Sequence, residues 1–190
     1  MSDFEFVFVL YSLLLGLSMV ELLGGLGRAL EARFAAEATR GTFALGWLTP
    51  LLAIFVMLDL LSFWQAAWTV RGDIAVSGAT LMAVALFASL YFLAARLVFP
   101  SQPESFANLD THYFRVRRIV LGLLMVLLAA QLSFYALHPV FVNAFDRPIV
   151  WVLTVILVVL MTAAVAVRGH RWSVAVLSLL IARYVVVYLL

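Results

Sequence analysis

The sequence predicts an all-α polytopic membrane protein, in which six transmembrane helices are joined by short loops. Hydrophobic residues make up 66% of the chain and charged residues 12%, and the mean hydropathy is +1.15. Soluble domains are about half apolar and a quarter charged. Six apolar runs each reach the length of about 20 residues that a bilayer-spanning helix needs. Arginines are concentrated in alternate gaps between these runs, which is typical of multi-pass proteins.

The six predicted spans divide one transmembrane domain, residues 1–190, into three hairpins. The first span follows an acidic N-terminus, and it is too long for the apolar region of a cleaved signal peptide. We therefore expect it to be retained as a span. The spans cover about 4–30, 43–68, 74–98, 119–137, 149–167 and 172–190.

Features of individual spans refine this scheme. Residues 28–42 are rich in helix formers, so the first helix is expected to continue beyond the membrane, with an ion pair between Arg33 and Glu37. Two prolines are expected to end the third helix, and Asp110 to cap a helix that leads into the fourth span. The fifth span is nearly devoid of polar residues and is predicted to be the most lipid-exposed. The third is predicted to lie centrally or at a subunit interface, because it is rich in alanine (Ala75, Ala79 and Ala83).

The arginines predict the orientation. The chain has twelve arginines and no lysine, and the gaps 28–43, 96–118 and 168–171 hold nine of the twelve. Cytoplasmic loops are rich in basic residues, so these three gaps are expected to face the cytoplasm of a bacterial inner membrane, with both termini outside. Two arginines fall in the alternate gaps (Arg71 and Arg147), one lies inside a span (Arg183), and the nine are Arg28, Arg33, Arg40, Arg96, Arg115, Arg117, Arg118, Arg168 and Arg171.

Aromatic residues agree with this orientation, because tryptophan and tyrosine concentrate at both membrane interfaces. Trp47 and Trp172 fall at the inner ends of the second and sixth spans. The outer ends carry Trp64, Trp68, Trp151 and Tyr188.

Composition also excludes several classes of function. Without cysteine there is no disulfide, thiolate metal site or cysteine nucleophile, and without lysine there is no Schiff base to retinal. The basic pI of 9.3 does not indicate nucleic-acid binding, because the arginines flank spans and form no basic face. No cofactor is expected: His112 and His170, on the cytoplasmic side, are predicted to be interfacial polar residues and not haem ligands, and His138 falls at the outer end of the fourth span.

Polar side chains inside spans are costly and are functional candidates by default. From the helical rise, Asp59, Gln131 and Arg183 lie about 17–20 Å beyond the cytoplasmic surface, in one layer. We expect Asp59 and Arg183 to form an ion pair that is hydrogen-bonded to Gln131. The pair is either an assembly clamp between helices or part of a polar pathway, and the sequence leaves both alternatives open.

Glu21 lies only about 10 Å from the predicted inner surface. Two roles remain open for it: pairing with an arginine such as Arg28, Arg96 or Arg115, or titration as a proton or cation site. Small residues near Glu21 are predicted to let another helix approach closely. These predicted packing residues are Gly16, Gly24 and Gly25.

Two segments carry a resemblance to known proteins: FVFVLYSLLLGLSMVELLGGLGRAL, with its glycine-rich stripe ending in arginine, and LDTHYFRVRR before a span. Together they resemble small bacterial multi-pass inner-membrane proteins to which no activity is assigned. The resemblance implies an inner-membrane location and no residue roles.

No nucleotide-binding, hydrolase or metalloprotease motif is present, and no enzyme is predicted. The sequence favours a small channel or transporter, with Glu21, Asp59, Gln131 and Arg183 as pathway candidates. Six short-looped helices leave little room for an enclosed pathway, so we expect a homo-oligomer in the lipid bilayer. The alternative is a structural or accessory subunit that packs against a larger membrane complex.

Overall fold

The computed structural model describes residues 3–39, 41–69, 76–137 and 148–189. Within these ranges the chain forms six α-helices that are long and apolar enough to cross a membrane, and the protein is an all-α, multi-pass integral membrane protein. The helices are α1 (Asp3–Thr39), α2 (Leu48–Thr69), α3 (Gly78–Val98), α4 (Leu109–Leu137), α5 (Pro148–Ala166) and α6 (His170–Leu189). The predictions for Arg40, Arg71, Ala75, His138 and Arg147 lie outside the described residues.

The predicted arginine-rich gaps fall at one end of the helices, where α1, α3 and α5 finish and α2, α4 and α6 begin. We call this the arginine-rich end and the other the opposite end. The predicted interfacial aromatic residues are exposed at both ends, which suits contact with lipid headgroups. They are Trp47 and Trp172 at the arginine-rich end, and Trp64, Trp68, Trp151 and Tyr188 towards the opposite end.

Helix α2 lies at the centre of the bundle and contacts α1, α3, α4 and α6. Of the residues in its most apolar stretch, 39% are buried, the largest share among the six helices. The corresponding share for α5 is 17%, the smallest, so the prediction that the fifth span is the most lipid-exposed is confirmed. Helix α3 packs between α1 and α4 and also contacts α2.

Helix α1 continues well beyond the predicted end of the first span, as its composition predicts, and it ends at Thr39. The predicted pair is present on this extension, with Arg33 Nε 2.9 Å from Glu37 Oε1. The last turn is closed by backbone, because the Gly41 N–H donates to the Ala36 carbonyl at 2.7 Å. Orphan carbonyls at a helix C-terminus are commonly satisfied in this way.

Helix α3 ends at Val98, where Phe99 takes an extended conformation before Pro100. The residue before a proline is disfavoured in helical geometry, and the predicted break is confirmed. The N-terminus of α3 is capped by Ser77, whose Oγ accepts a hydrogen bond from the Thr80 N–H at 3.0 Å. A short 3-10 helix over Pro103–Ser105 follows α3.

Helix α2 begins at Leu48, five residues after the predicted start of the second span, because the chain before it is extended. The Ala44 N–H donates to the Ala107 carbonyl at 2.9 Å, and the Leu109 N–H donates to the Ala44 carbonyl at 3.1 Å. These bonds form an isolated parallel β-bridge between Ala44 and Asn108. Two segments distant in sequence are thereby fixed side by side at the arginine-rich end.

The start of α4 corrects one prediction. Asn108, not Asp110, caps this helix, because the Asn108 Oδ1 accepts a hydrogen bond from the Asp110 N–H at 2.8 Å. The carboxylate of Asp110 turns instead to the neighbouring helix and accepts the Leu48 N–H at 2.9 Å, so that it caps α2. Thr49 adds a second bond between the same helices by donating to the Leu109 carbonyl at 2.9 Å.

Candidate functional site

Asp59 lies on central helix α2 and is buried, with 5% of its surface exposed. Its partners are two tyrosine hydroxyls from neighbouring helices. Tyr184 on α6 donates to Oδ1 at 2.5 Å, and the hydroxyl of Tyr91 on α3 lies 3.2 Å from Oδ2. The same Tyr91 hydroxyl lies 2.7 Å from the carbonyl oxygen of Val56. Asp59 therefore ties α2, α3 and α6 together in the middle of the bundle.

The predicted ion pair between Asp59 and Arg183 is not formed, since no contact between their charged atoms falls within 4.0 Å in the described part of the chain. Arg183 Nε donates instead to the Leu153 carbonyl on α5 at 3.3 Å. The guanidinium carbon stands 4.7 Å from the centre of the Tyr184 ring. The predicted common layer is thus real, but Tyr184 stands between the two charged groups.

Gln131 is not part of this group, and the predicted hydrogen bond to Asp59 is wrong. Its Nε2 donates to the hydroxyl of Tyr135, one turn further along α4, at 3.0 Å. The side chain of Gln131 lines a cavity enclosed by α1, α2, α3 and α4. Helix rise alone predicts depth along the bundle and gives no direction around each helix, which is why this prediction failed.

The cavity has a volume of about 910 Å³, within the range of small-molecule sites. Along α3 it reaches from Ser77 to Leu90, about 20 Å into the bundle from the opposite end. Its walls are aliphatic and aromatic, with polar groups from Ser77, Thr80, Gln131 and the tyrosines. None of the described residues that line it is charged. Leu86 and Val126 on its rim are exposed, so the cavity also borders the lipid-facing surface.

Aromatic rings form a layer in the wall of this cavity. The ring centres of Phe63 and Phe87 are 5.1 Å apart, and those of Phe63 and Tyr91 are 5.6 Å apart. Tyr11 on α1 completes the layer, with its ring 6.3 Å from Phe87 and its hydroxyl donating to the Phe63 carbonyl at 3.3 Å. Tyr91 connects this aromatic layer to Asp59, because its ring contacts Phe63 and its hydroxyl contacts the Asp59 carboxyl group.

Glu21 forms a separate cluster nearer the arginine-rich end. Its Oε1 accepts from Arg28 Nη2 at 3.1 Å and from Arg96 Nη1 at 2.8 Å. Arg96 also donates to Ser101 at 2.9 Å, so the cluster joins α1 to α3 and to the segment that follows it. The predicted pairing with an arginine is confirmed for Arg28 and Arg96. The third candidate, Arg115, lies over the Phe106 ring instead.

The predicted packing glycines have two different environments. Gly25 is buried, and a Cβ added to it would lie 2.6 Å from Phe99, so only glycine allows this approach. A Cβ on Gly16 would meet no atom within 4 Å, and one on Gly24 would meet only the side chain of Arg28 at 3.5 Å. Gly25 therefore packs as predicted, whereas Gly16 and Gly24 lie on the outward face of α1, where their role in packing stays a prediction.

Two polar anchors at the arginine-rich end were not predicted. Arg117 is 3% exposed and donates to the carbonyls of Ala164 and Val167 at the end of α5. A cation at a helix C-terminus stabilises the last carbonyls. His170 Nδ1 lies 3.4 Å from Asp110 Oδ2. In the sequence these residues belong to clusters of ionisable groups beside the ends of spans. Exposed interfacial residues show the same pattern, so the sequence does not distinguish the two.

The tyrosines around Asp59 were also missed by sequence reasoning, which considered charged and amide groups only. Tyr184 follows Arg183 directly, so the same helix-rise argument, extended to tyrosines, would have placed its backbone near the depth of Asp59. The four predicted pathway residues thus occupy separate places: Glu21 between α1 and α3, Asp59 at the centre, Gln131 in the cavity and Arg183 beside α5. Comparison with known proteins adds no further assignment, since no protein-family model, curated protein or solved structure matches the chain.

Proposed function

We propose that this integral membrane protein is a transporter, and that the cavity between α1, α2, α3 and α4 is its ligand site. The observation that carries the proposal is the form of the cavity. Its described lining residues reach from Ser77, beside the opposite end, to Leu90 and Val126 in the middle of the bundle, and none of them lies at the arginine-rich end. A cavity that reaches the middle of the bundle from one end suits alternating access, in which the site is exposed to one side of the membrane at a time.

The lining defines the ligand class. Because none of the described residues that line the cavity is charged, a charged ligand would be buried beside them without a counter-ion, at a cost of several kcal/mol. Aromatic and aliphatic walls favour apolar area, while Gln131 has hydrogen-bonding capacity beyond its bond to Tyr135. The ligand is therefore an uncharged, mainly apolar molecule with a hydrogen-bonding group. The lipid-facing rim at Leu86 and Val126 provides entry from the bilayer.

Transbilayer flux tests this proposal. The probe is an uncharged alkyl glycoside with an NBD fluorophore on its chain, incorporated into liposomes that contain the purified protein. Dithionite added outside reduces only the NBD groups that have reached the outer leaflet. Ala130→Leu adds volume inside the cavity, whereas Ala129→Leu adds the same volume at the neighbouring position of the same helix, which does not line the cavity.

The wild type and Ala129→Leu are expected to move the probe faster than empty liposomes, and Ala130→Leu is expected to lose most of this rate. Equal rates for both variants would contradict a route through the cavity. A rate no higher than that of empty liposomes for all three proteins would contradict transport of this class of molecule.

A second candidate is a structural subunit of a larger assembly, or a homo-oligomer, and one observation favours it. Gly16 and Gly24 pack against nothing else in the described chain, and Val20 between them is 66% exposed. Glycines on an outward face permit close approach of a helix from another molecule. The native mass after mild solubilisation separates these alternatives. A defined homo-oligomer supports self-association, and a fixed stoichiometry with another membrane protein supports the subunit role. A monomer would contradict both.

A further inference from the structure

The group around Asp59 contains more close polar contacts than it has hydroxyl protons. Three contacts are present: Tyr184 to Oδ1, Tyr91 to Oδ2, and Tyr91 to the Val56 carbonyl. The two hydroxyls supply two protons. If Asp59 were ionised, the proton of Tyr91 could serve the carbonyl or the carboxylate, and the other contact would bring two oxygens together with no proton between them.

The surrounding charges also disfavour an ionised Asp59. Among the described residues, the ionisable side chains that face Asp59 from the helices around it are Tyr11 on α1, Tyr91 on α3, and Arg183, Tyr184 and Tyr188 on α6. Arg183 is the only cation among them, and its Nε bonds to the Leu153 carbonyl. The hydroxyl of Tyr188 donates to the Leu58 carbonyl at 3.1 Å and that of Tyr11 to the Phe63 carbonyl. An ionised Asp59 would thus be a buried charge without an ion-pair partner in the described chain, which is strongly unfavourable.

We propose that Asp59 is a proton-binding site and is occupied by a proton in this structure. The neutral acid donates from Oδ2 to the hydroxyl oxygen of Tyr91, Tyr91 donates to the Val56 carbonyl, and Tyr184 donates to Oδ1. Every contact then contains one proton. Because these bonds join α2, α3 and α6, release of the proton removes one of them and weakens the junction of the three helices.

The site has a structural connection to the ligand cavity. Tyr91 stands edge-on to Phe63, and Phe63 lines the cavity. Loss of the proton frees the Tyr91 hydroxyl to turn towards the carboxylate and so alters the support behind Phe63. This coupling between proton and ligand rests on the proposed transport function, whereas the protonation of Asp59 itself does not.

Infrared spectroscopy of the full chain in liposomes at neutral pH tests the protonation directly. A protonated carboxylic acid has a carbonyl-stretch band well separated from that of a carboxylate, and ¹³C labelling of the aspartate side-chain carboxyl shifts that band without affecting glutamates. We expect a ¹³C-sensitive acid band in the wild type. It should be absent in Asp59→Asn and unchanged in Glu21→Gln, which removes a carboxylate already paired with two arginines.

Tyr91→Phe provides a second assignment should Asp59→Asn fail to fold, since it removes only the hydroxyl that accepts from Oδ2. The acid band should move in this variant, because the strength of its hydrogen bond changes. A wild-type spectrum without an aspartic acid band would overturn the proposal, as would a band that neither substitution alters. Flux of the uncharged probe is measured separately, so failure of the transport proposal and failure of the proton site are distinguishable.

Discussion

The carboxylate of Asp110, in the first turn of α4, accepts the backbone N–H of Leu48 at the start of α2, 62 residues earlier in the chain. A helix N-terminus leaves its first N–H groups unpaired, and caps are usually supplied by the residue just before the helix. Here the cap comes from another helix, so the same bond that starts α2 also sets its position against α4.

Removal of this carboxylate is expected to destabilise the bundle. Asp110→Ala should lower the free energy of unfolding by about 1–2 kcal/mol, the cost of losing an N-cap, measured by thermal unfolding in detergent. Asp110→Asn keeps an oxygen acceptor at the same place and should cost less. Equal losses for the two variants would contradict the assigned cap.

Gly46 provides an independent check of the same junction. It has a positive φ of 66°, and a Cβ on it would lie 2.2 Å from the Asp110 Oδ1. Gly46→Ala should therefore reduce thermal stability both through backbone strain and through displacement of Asp110. In the Asp110→Ala background the second contribution vanishes, so the cost of Gly46→Ala should be smaller there. A cost that is the same in both backgrounds would show that the two residues do not interact.

The two kinds of glycine on α1 should respond in opposite ways to alanine. Gly25→Ala places a Cβ 2.6 Å from Cδ2 and 2.7 Å from Cβ of Phe99, so rotation of the ring cannot relieve the overlap. We expect a loss of about 1–3 kcal/mol. Gly16→Ala meets no neighbour and should be neutral or stabilising by up to about 1 kcal/mol. Gly16→Leu should leave the fold intact and lower the oligomer mass if a second copy packs on this face.

The cluster of Glu21 should matter more than the exposed pair on the same helix. Arg96→Gln removes the 2.8 Å bond that connects α3 to α1 and is expected to cost about 1 kcal/mol, a modest value because Arg96 is partly exposed. Arg33→Gln removes an exposed pair within α1 and should cost at most about 0.5 kcal/mol. The loss of stability in the two variants is compared by thermal unfolding under the same conditions.

Cysteine labelling tests the predicted orientation against a clean background, because the chain contains no cysteine. Thr42→Cys places one thiol at the arginine-rich end, and Val76→Cys places one at the opposite end. In intact cells a membrane-impermeant maleimide should label only the Val76 variant, and after lysis it should label both. Labelling of the Thr42 variant in intact cells would reverse the predicted topology.

The sequence predicts some features of this structure and not others, because different interactions determine them. Hydropathy and proline positions predict the six helices, because burial in lipid requires long apolar runs whatever their partners. Depth along the membrane follows from helix rise, and Asp59 and Arg183 do share a layer. Rotation around each helix and the choice of neighbours depend on side-chain packing, so Tyr184 between these two charges, and Gln131 in the cavity, emerge only from the fold.

The helix caps at the arginine-rich end also depend on contacts between distant segments, which the local sequence does not predict. Asp110 lies in a helix-starting sequence, which predicts a local cap, and Asn108 two residues earlier satisfies that role instead. The carboxylate is then available to α2, a relationship that no local pattern contains. Gly16 and Gly24 match the small-residue pattern as well as Gly25 does, and only the position of Phe99 distinguishes them.

The most direct test of the central claim, that the cavity of α1, α2, α3 and α4 holds an uncharged lipophilic ligand, is photo-crosslinking. An alkyl glycoside with a diazirine on its chain is irradiated with the protein in liposomes, and the adducts are mapped by mass spectrometry. The account predicts adducts on cavity residues such as Val84, Phe87 and Gln131, which excess unlabelled glycoside and the substitution Ala130→Leu both suppress. Adducts spread over outward faces such as that of α5, unaffected by competitor or substitution, would contradict it.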